Sequence, residues 1–289
     1  MIARLAVLFT LLLLPFTFTG CFIPTDRDLE VKLADALRNS LHPQSVKVSI
    51  YRRSIFSTTV RKLDVSMSGF SADNIPLMKE QPAPPAPTTT GVVTTLAKPV
   101  VKKKQSTEIK VRIVNAAIHC DHFEVKSIPV LSLDLAIRDI FIPLRGSDIK
   151  IESGKSAVCT VAFDEQGLTQ FLRSRNHLPV NDAKVRLTKD GCIVTGKIKA
   201  FFNTPVELSG RIMVKDQAVL YIDQPKVRVS ALTLPGFVTE RLLKDINPIA
   251  DLNTDFDFPV PITVSSLTHD DGKLTFVADL HLPQPKRQR

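Results

Sequence analysis

The sequence predicts an α+β fold built mainly on an antiparallel sheet with one buried face. Apolar and polar residues alternate in VKVSI (46–50) and LDVSM (63–67), which is the period of a half-buried strand. Similar alternating segments follow one another closely between residues 109 and 280. The pair Asp271-Gly272 separates the last two of them and indicates a tight hairpin. Helical patterns are few, so strands dominate the prediction.

The N-terminus has the layout of a secretory signal peptide. Arg4 precedes an apolar stretch over 5–18, which is shorter than a membrane span and contains a proline. Two small residues then precede Cys21, as in the bacterial lipobox, in which the cysteine becomes the lipidated N-terminus. The alternative is an ordinary cleaved signal with an incidental cysteine. We expect a signal peptide over 1–20 and a lipid anchor at Cys21, followed by a tether to residue 26.

Two helices are predicted from capping residues and apolar spacing. The first runs from 26 to 39 behind a cap at Thr25 or Asp26. Its apolar positions are Leu29, Val31, Leu33, Ala36 and Leu37. The second runs from 164 to 174 and turns Leu168, Phe171 and Leu172 inward.

A third helix is predicted from Pro235 or Gly236 onward, with Pro248 bending or ending it. It carries one broad apolar stripe, made of Phe237, Val238, Leu242, Leu243, Ile246 and Ile249. Such a stripe is typical of a helix packed on a sheet, and it also suits a helix that lines an apolar groove.

One folded domain is expected over 27–282, interrupted by a loop. Residues 79–105 are rich in proline, threonine and lysine and show no buried pattern, so we expect an extended, solvated segment. The strand pattern resumes beyond it, which favours a loop over a domain linker. Residues 283–289 form a basic tail.

The net charge of +9 indicates which kinds of molecule the protein can bind. Outside the cytoplasm a basic surface favours anionic lipid headgroups over nucleic acid. We therefore expect a membrane partner and no nucleic-acid partner.

Catalytic and metal-binding motifs are not evident. In His119-Cys120-Asp121-His122 only Cys120 and His122 are expected to share a strand face, and two ligands are too few for a zinc site. There is no Gly-rich dinucleotide loop and no nucleophile elbow. Cys120, Cys159 and Cys192 allow at most one internal disulfide. We expect neither an enzyme nor a cofactor.

The order of segments resembles a bacterial family of extracytoplasmic proteins called DUF2993, or LmeA-like phospholipid-binding proteins. The likeness rests on LTQFLRSR (168–175), on the strands from KVRL to GRIMV (184–214), and on FPVPITVSSLTHDDGKLTFVADL (258–280). It covers about residues 107–282 well, and VRKLDVSMSGF (60–70) more loosely. The Pro/Thr-rich insertion departs from the family pattern.

The resemblance implies phospholipid binding in the cell envelope, with a role in envelope biogenesis or lipid movement. It also implies an elongated, curved antiparallel sheet wrapped around one or two long helices, similar to tubular lipid-binding domains. The groove is then expected to be lined by the apolar stripe of the third helix together with Phe171 and Leu172. The ligand is expected to be an anionic phospholipid, bound at the extracytoplasmic face of the cell membrane or the outer membrane.

A second hypothesis is a non-catalytic envelope scaffold or assembly factor. In that case a sheet edge and the 79–105 loop bind another envelope protein. A dry slot for acyl chains favours the first hypothesis, and a fully packed core favours the second.

Overall fold

The structure is a computed structural model that describes residues 25–52, 54, 57, 59–72, 110–143, 154–175, 180–198, 204–229, 240, 243–244, 247–255 and 260–282. It is mostly β-sheet, with 66% strand, and it combines a curled half-barrel sheet with a few short helices. The elements in chain order are α1 (Asp26–Leu41), β1 (Ser45–Arg52), β2 (Thr59–Ser68), β3 (Lys110–Val125), β4 (Ile128–Pro143), β5 (Ser156–Asp164), α2 (Glu165–Ser174), β6 (Val180–Thr188), β7 (Gly191–Ile198), β8 (Thr204–Lys215), β9 (Val219–Val229), β10 (Ala250–Asp251), α3 (Leu252–Asp255), β11 (Ile262–Asp270) and β12 (Lys273–Leu280).

The strands form two sheets. The first has seven strands in the order β1-β2-β3-β4-β5-β12-β11, and the second has five in the order β10-β9-β8-β7-β6. All of these pairs are antiparallel except β2–β3, which is parallel. The predicted antiparallel sheet is therefore confirmed for all pairs but one. The last two strands meet in the predicted hairpin, where Gly272 has a φ of 75°.

The predicted long helices are wrong for the part of the chain described. The longest helix, α1, has 16 residues, and α2 has 10. Of the third predicted helix, only residues 240 and 243–244 are described as helical. No sheet wraps around a long helix among these residues; instead the short helices lie against sheet ends.

Helix α1 begins where the sequence predicts and extends two residues further. Thr25 and Asp28 form a reciprocal capping box, in which the Thr25 hydroxyl accepts from the Asp28 backbone N–H. Its inner face buries four leucines, each at most 1% exposed: Leu29, Leu33, Leu37 and Leu41. Val31, predicted to be part of this face, is 52% exposed, so that assignment is wrong.

Helix α1 covers the outer edge of β1 with two carboxylates. Glu30 Oε1 accepts from the backbone N–H of Ile50 at 2.7 Å. Asp26 Oδ2 accepts from the backbone N–H of Arg52 at 3.1 Å. Because an edge strand with free N–H groups is a template for pairing with another chain, these bonds protect one end of the seven-stranded sheet.

Helix α2 covers the outer edge of β6 in the same way. Glu165 accepts from the backbone N–H of Leu187 at 2.8 Å, and the Thr169 hydroxyl accepts from the backbone N–H of Val185 at 2.9 Å. Arg173 Nε donates to the carbonyl of Ala183 at 2.8 Å. Polar residues four apart on the helix thus contact residues two apart on the strand, and one end of the five-stranded sheet is also protected.

Candidate functional site

An apolar cavity of about 50 Å³ lies at the junction of the two sheets. Its walls come from α2, from the inner face of the five-stranded sheet, from β5 and β12, and from the segment around β10. Every lining residue in the described part of the chain is apolar or a cysteine: Phe163, Leu168, Phe171, Leu172, Val185, Cys192, Val194, Ile212, Leu220, Ile222, Ile249, Ala250, Leu252, Leu274 and Phe276. A cavity of this composition offers no directed polar contact to a ligand and selects for hydrocarbon.

Helix α2 forms one wall of the cavity because its N-terminus is fixed in two ways. Asp164 caps the helix by accepting from the backbone N–H of Gly167 at 2.7 Å. A Cβ at Gly167 would lie 2.3 Å from the carbonyl oxygen of Pro129, so glycine allows the helix to approach β4 closely. Phe171 and Leu172, one turn later, are buried and line the cavity.

The five-stranded sheet forms the opposite wall. Its inward residues include Val185, Ile212 and Ile222, all buried, and also Cys192. Burial raises the pKa of the Cys192 thiol to about 11, so this thiol is uncharged at neutral pH. The wall therefore carries no charge toward the cavity.

Two stacked phenylalanines close the cavity on the side of the seven-stranded sheet. Phe163 on β5 and Phe276 on β12 have ring centroids 6.0 Å apart and an interplanar angle of 23°. Both rings are buried, at 6% and 3% exposure. The strand pairing fixes their positions, because Phe276 lies opposite Val161 and Phe163 lies opposite Leu274.

The structure brings together three of the predicted groove residues. Phe171, Leu172 and Ile249 all line the cavity, although they come from two distant parts of the sequence. Leu243 is partly buried against the core but does not line the cavity. The other predicted residues, Cys21, Phe237, Val238, Leu242 and Ile246, lie outside the described residues.

Ile249 reaches the cavity from an extended segment, which corrects its predicted place on a helix. Its backbone N–H donates to the carbonyl of Leu220 at 2.8 Å, and β10 begins at the next residue. Asn247 precedes it and bonds through its side chain to both the N–H and the carbonyl of Ile222, each at 2.9 Å. These bonds attach the segment to the edge of β9.

The sequence did not identify most of the cavity residues as part of a ligand site. Val185, Leu220, Ile222 and Phe276 occupy inward positions of alternating strands, so the period-2 pattern identifies them as buried. The pattern does not reveal that space remains between them, because that depends on how the two sheets approach each other.

The polar cluster at 119–122 is a surface feature. His119 Nε2 lies 2.7 Å from Asp121 Oδ2, and His119 Nδ1 contacts Asp134 on the neighbouring strand. Cys120 is buried whereas His122 is exposed with a φ of 48°, so the prediction that they share a face is wrong. The positive φ of His122 interrupts the alternation, so that Cys120 and Phe123, three residues apart, are both buried. No group of metal-binding side chains occurs among the described residues.

The pH dependence of stability should carry a contribution from His119. The pKa of His119 is raised above 6.5, and the main cause is its hydrogen bond with Asp134. A raised folded-state pKa stabilises the protein fully below the unfolded-state value and loses this effect as the pH rises through the folded-state value. We expect His119→Asn to remove the part of the pH dependence of unfolding that lies above pH ~6.5. Urea unfolding at several pH values measures this.

The control for this prediction is His122→Asn, which changes an exposed histidine of the same strand and leaves His119 with its carboxylates. This variant should keep the wild-type slope of stability against pH. An unchanged slope in His119→Asn would contradict the prediction.

Buried Asp139 is the centre of an ion-pair network that links neighbouring strands. It accepts from Arg112 Nη2 at 2.6 Å and from Lys155 Nζ at 2.5 Å. The hydrogen bonds from Lys155 and then Arg112 lower the pKa of Asp139, which keeps this carboxylate ionised and paired. The triad therefore joins β3 and β4 to the residue before β5.

Comparisons with known proteins give no family assignment. No family model, curated protein or solved structure matches the chain. Within the described ranges, no helix combines the length and the apolar character needed to cross a bilayer.

Proposed function

We propose that the protein binds phospholipid by placing acyl-chain methylenes in the cavity at the junction of the two sheets. The observation that carries the proposal is the composition of the cavity, whose described lining residues present no charged or amide side chain. A curved sheet with an internal apolar space also agrees with the tubular lipid-binding arrangement that the sequence resemblance implies.

The size of the cavity sets a limit on the ligand it holds in this conformation. At 50 Å³ it has room for about four water-sized groups. Four methylenes at about 0.8 kcal/mol each contribute ~3 kcal/mol, which alone corresponds to millimolar binding. Firm binding of a diacyl lipid therefore requires the cavity to widen, and the junction between two separate sheets is the place where it can do so without breaking a strand ladder.

The proposal includes a location. Cys21 carries a lipid anchor that holds the domain at the extracytoplasmic face of the cell membrane or outer membrane, close to its ligand. Removal of residues 1–20 takes Arg4 away and changes the net charge from +9 to +8, and this positive charge adds attraction to anionic lipid surfaces. In this function the protein handles envelope lipid without a catalytic step.

The scaffold hypothesis has less support from the described residues. Strand addition needs open edges, and two of the four sheet edges are covered, that of β1 by α1 and that of β6 by α2. The other two outer strands are β10 and β11. The 79–105 loop, the other proposed contact with a partner protein, lies outside the described residues.

Photolabelling tests the proposal directly. The full-length protein in membranes is exposed to phosphatidylglycerol with a diazirine at the end of one acyl chain, and labelled peptides are mapped by mass spectrometry. We expect labels on peptides that carry Phe171 and Leu172 or Ile249. Ala250→Leu, which adds bulk at a lining position, should reduce labelling at least tenfold, because excluding two methylenes removes about 1.6 kcal/mol.

The matched control is Ala117→Leu, the same change on the exposed face of β3. It should label as the wild type does, and circular dichroism should show both variants folded. Labelling that is absent from the cavity peptides, or unaffected by Ala250→Leu in a folded protein, would rule the cavity out as the acyl site.

A further inference from the structure

The seven-stranded sheet carries opposite charges at its two ends. One row of neighbouring residues crosses five strands on the exposed face: Tyr51, Lys62, Asn115, Arg138 and Ser156. We call the part of the sheet from this row to the adjacent strand termini the basic end. The charged side chains that the structure describes there are Arg52, Arg61, Lys62, Arg112, Arg138, Lys155 and Asp139. Basic groups therefore dominate this end of the sheet.

The opposite end of the same sheet is mainly acidic. It extends from the paired residues His119 and Asp134 to the other strand termini. Its described carboxylates are Asp121, Glu124, Asp134, Asp164, Asp270 and Asp271, and its described lysines are Lys47, Lys126 and Lys273. An anionic surface attracts the first end of the sheet and repels this one.

The basic end has side chains that are available to a partner. Arg61 and Arg138 are exposed and form no ion pair with any described residue. The single carboxylate of this end, Asp139, is already paired with Arg112 and Lys155.

An exposed aromatic side chain adjoins these charges. Tyr51 is 58% exposed and lies opposite Lys62 on the neighbouring strand. A tyrosine ring has an apolar body and a polar hydroxyl, so it fits the headgroup layer at the boundary between a membrane and water. The combination of exposed ring and basic groups is typical of a surface that contacts anionic headgroups.

The N-terminal side of the folded domain lies at the basic end. Asp26, at the start of α1, accepts from the backbone N–H of Arg52 at 3.1 Å. Thr25 precedes it and follows Cys21 by four residues. Because an extended chain spans at most 3.6 Å per residue, the distance between Thr25 and Cys21 is at most about 14 Å. An anchor at Cys21 therefore keeps this end of the sheet close to the membrane.

The C-terminal side of the folded domain lies at the same end. The side chain of Leu282 lies against Gly154, which precedes β5, and the backbone N–H of His281 donates to the carbonyl of Pro261 at 2.9 Å. From Leu282 the chain continues into the basic residues Lys286, Arg287 and Arg289. Further positive charge is thus attached at the basic end.

We propose that the basic end is the surface on which the domain rests against the anionic headgroups of the membrane that carries its anchor. The inference rests on the location given in the proposed function and not on the cavity, and it adds the orientation of the domain. The strands then run away from the membrane. Phe163, which lines the cavity, lies about 23 Å along β5 from Ser156. An acyl chain in the cavity has therefore left the bilayer below.

The outer face of the five-stranded sheet is the competing surface. It carries the exposed residues Lys184, Arg186, Lys226 and Arg228 on its first and fourth strands. Charge alone does not distinguish the two surfaces. The reach of the anchor and the attachment of the basic C-terminal residues favour the basic end.

Fluorescence quenching tests the orientation, because the chain has no tryptophan and a single introduced indole reports its own surroundings. Tyr51→Trp places the indole at the basic end. Met213→Trp places it at a 37% exposed position on the outer face of the five-stranded sheet and is the matched control. Each full-length lipidated variant is incorporated into vesicles of phosphatidylcholine alone, or of equal parts phosphatidylcholine and phosphatidylglycerol. Both vesicles contain a lipid with a nitroxide on its headgroup as the quencher.

We expect the indole of Tyr51→Trp to be quenched strongly in the anionic vesicles and weakly in phosphatidylcholine. The indole of Met213→Trp should be quenched weakly in both. The anchor is the same in all four samples, so a difference between them reports the docking of the domain. Circular dichroism checks that both variants are folded.

Charge removal tests the contact itself. Each basic side chain near an anionic surface contributes about fivefold to binding. In the Tyr51→Trp protein, Arg61→Gln together with Arg138→Gln should therefore lower the ratio of docked to undocked protein about thirtyfold. Lys184→Gln together with Lys226→Gln removes the same charge from exposed positions of the five-stranded sheet and should leave this ratio unchanged.

The possible failures are distinguishable. Stronger quenching of Met213→Trp than of Tyr51→Trp would assign docking to the five-stranded sheet and overturn the inference. Equal quenching of Tyr51→Trp in the two vesicles, or equal effects of the two double substitutions, would overturn the contact between the basic end and anionic headgroups. Absence of an acyl chain on Cys21 by mass spectrometry would overturn the location and this inference with it. The expected quenching without acyl labelling of the cavity would leave the orientation standing and overturn phospholipid binding.

Discussion

Phe276→Ala should cost about 3–5 kcal/mol of unfolding free energy and should increase the labelling of the cavity by acyl chains. The ring is 3% exposed and stacks on Phe163, so its removal leaves a void that the surrounding strands fill only partly. That void adjoins a cavity that is already present. The variant should therefore be less stable without lipid and better able to accept an acyl chain. Urea unfolding and photolabelling measure the two effects separately.

Phe123→Ala provides a matched control. Phe123 is 2% exposed and stacks on Phe70 at 5.2 Å, but it lies in the core away from the cavity. It should lose a similar free energy of unfolding with no gain in labelling. If both truncations raised labelling equally, the effect would reflect general loosening of the protein. That result would contradict the prediction that the void at Phe276 enlarges the acyl-chain site.

Leu37→Ala should destabilise the protein by about 2–5 kcal/mol. Leu37 is completely buried, between other leucines of α1 and the apolar face of the sheet. Loosening α1 also withdraws Glu30 and Asp26 from the edge of β1. We therefore expect concentration-dependent association of the variant, because the exposed edge can pair with a second molecule. Chemical unfolding and light scattering measure the two consequences.

Val31→Ala on the same helix is the control. Val31 is 52% exposed, so its truncation should change the unfolding free energy by less than about 0.5 kcal/mol. This variant should also scatter light as the wild type does at every protein concentration. A comparable loss in both variants would show that α1 contributes through helix propensity and not through packing.

Local signals were enough to predict the strands and two of the helices. Asp164 and Thr25 cap helices in the structure as the sequence indicates, and Asp271-Gly272 forms the hairpin. Spacing turns Phe171 and Leu172 inward and the family resemblance places them in a groove, and both line the cavity. In each case neighbouring residues carry enough information to decide the local structure.

The errors arose where distant residues decide the conformation. Ile249 belongs to an apolar stripe that suits a helix, yet Asn247 binds both backbone groups of Ile222 and attaches this segment to a strand edge. At His122 a backbone turn with positive φ interrupts the alternation of inward and outward residues on β3. Val31 has helical apolar spacing but no sheet opposite it. None of these partners can be found from the residues beside them.

The contacts between α2 and β6 are spaced slightly differently along the helix and along the strand. Four residues of helix advance about 6.0 Å and two residues of strand about 6.8 Å, so the mismatch grows by ~0.8 Å at each contact. Four helix residues also turn about 40° beyond a full circle, and this carries the polar row away from the strand. Glu165, Thr169 and Arg173 each make one such contact, and the helix ends one residue after Arg173. A longer row of such contacts could not stay in register with a strand edge, so this way of covering a sheet limits α2 to three of them.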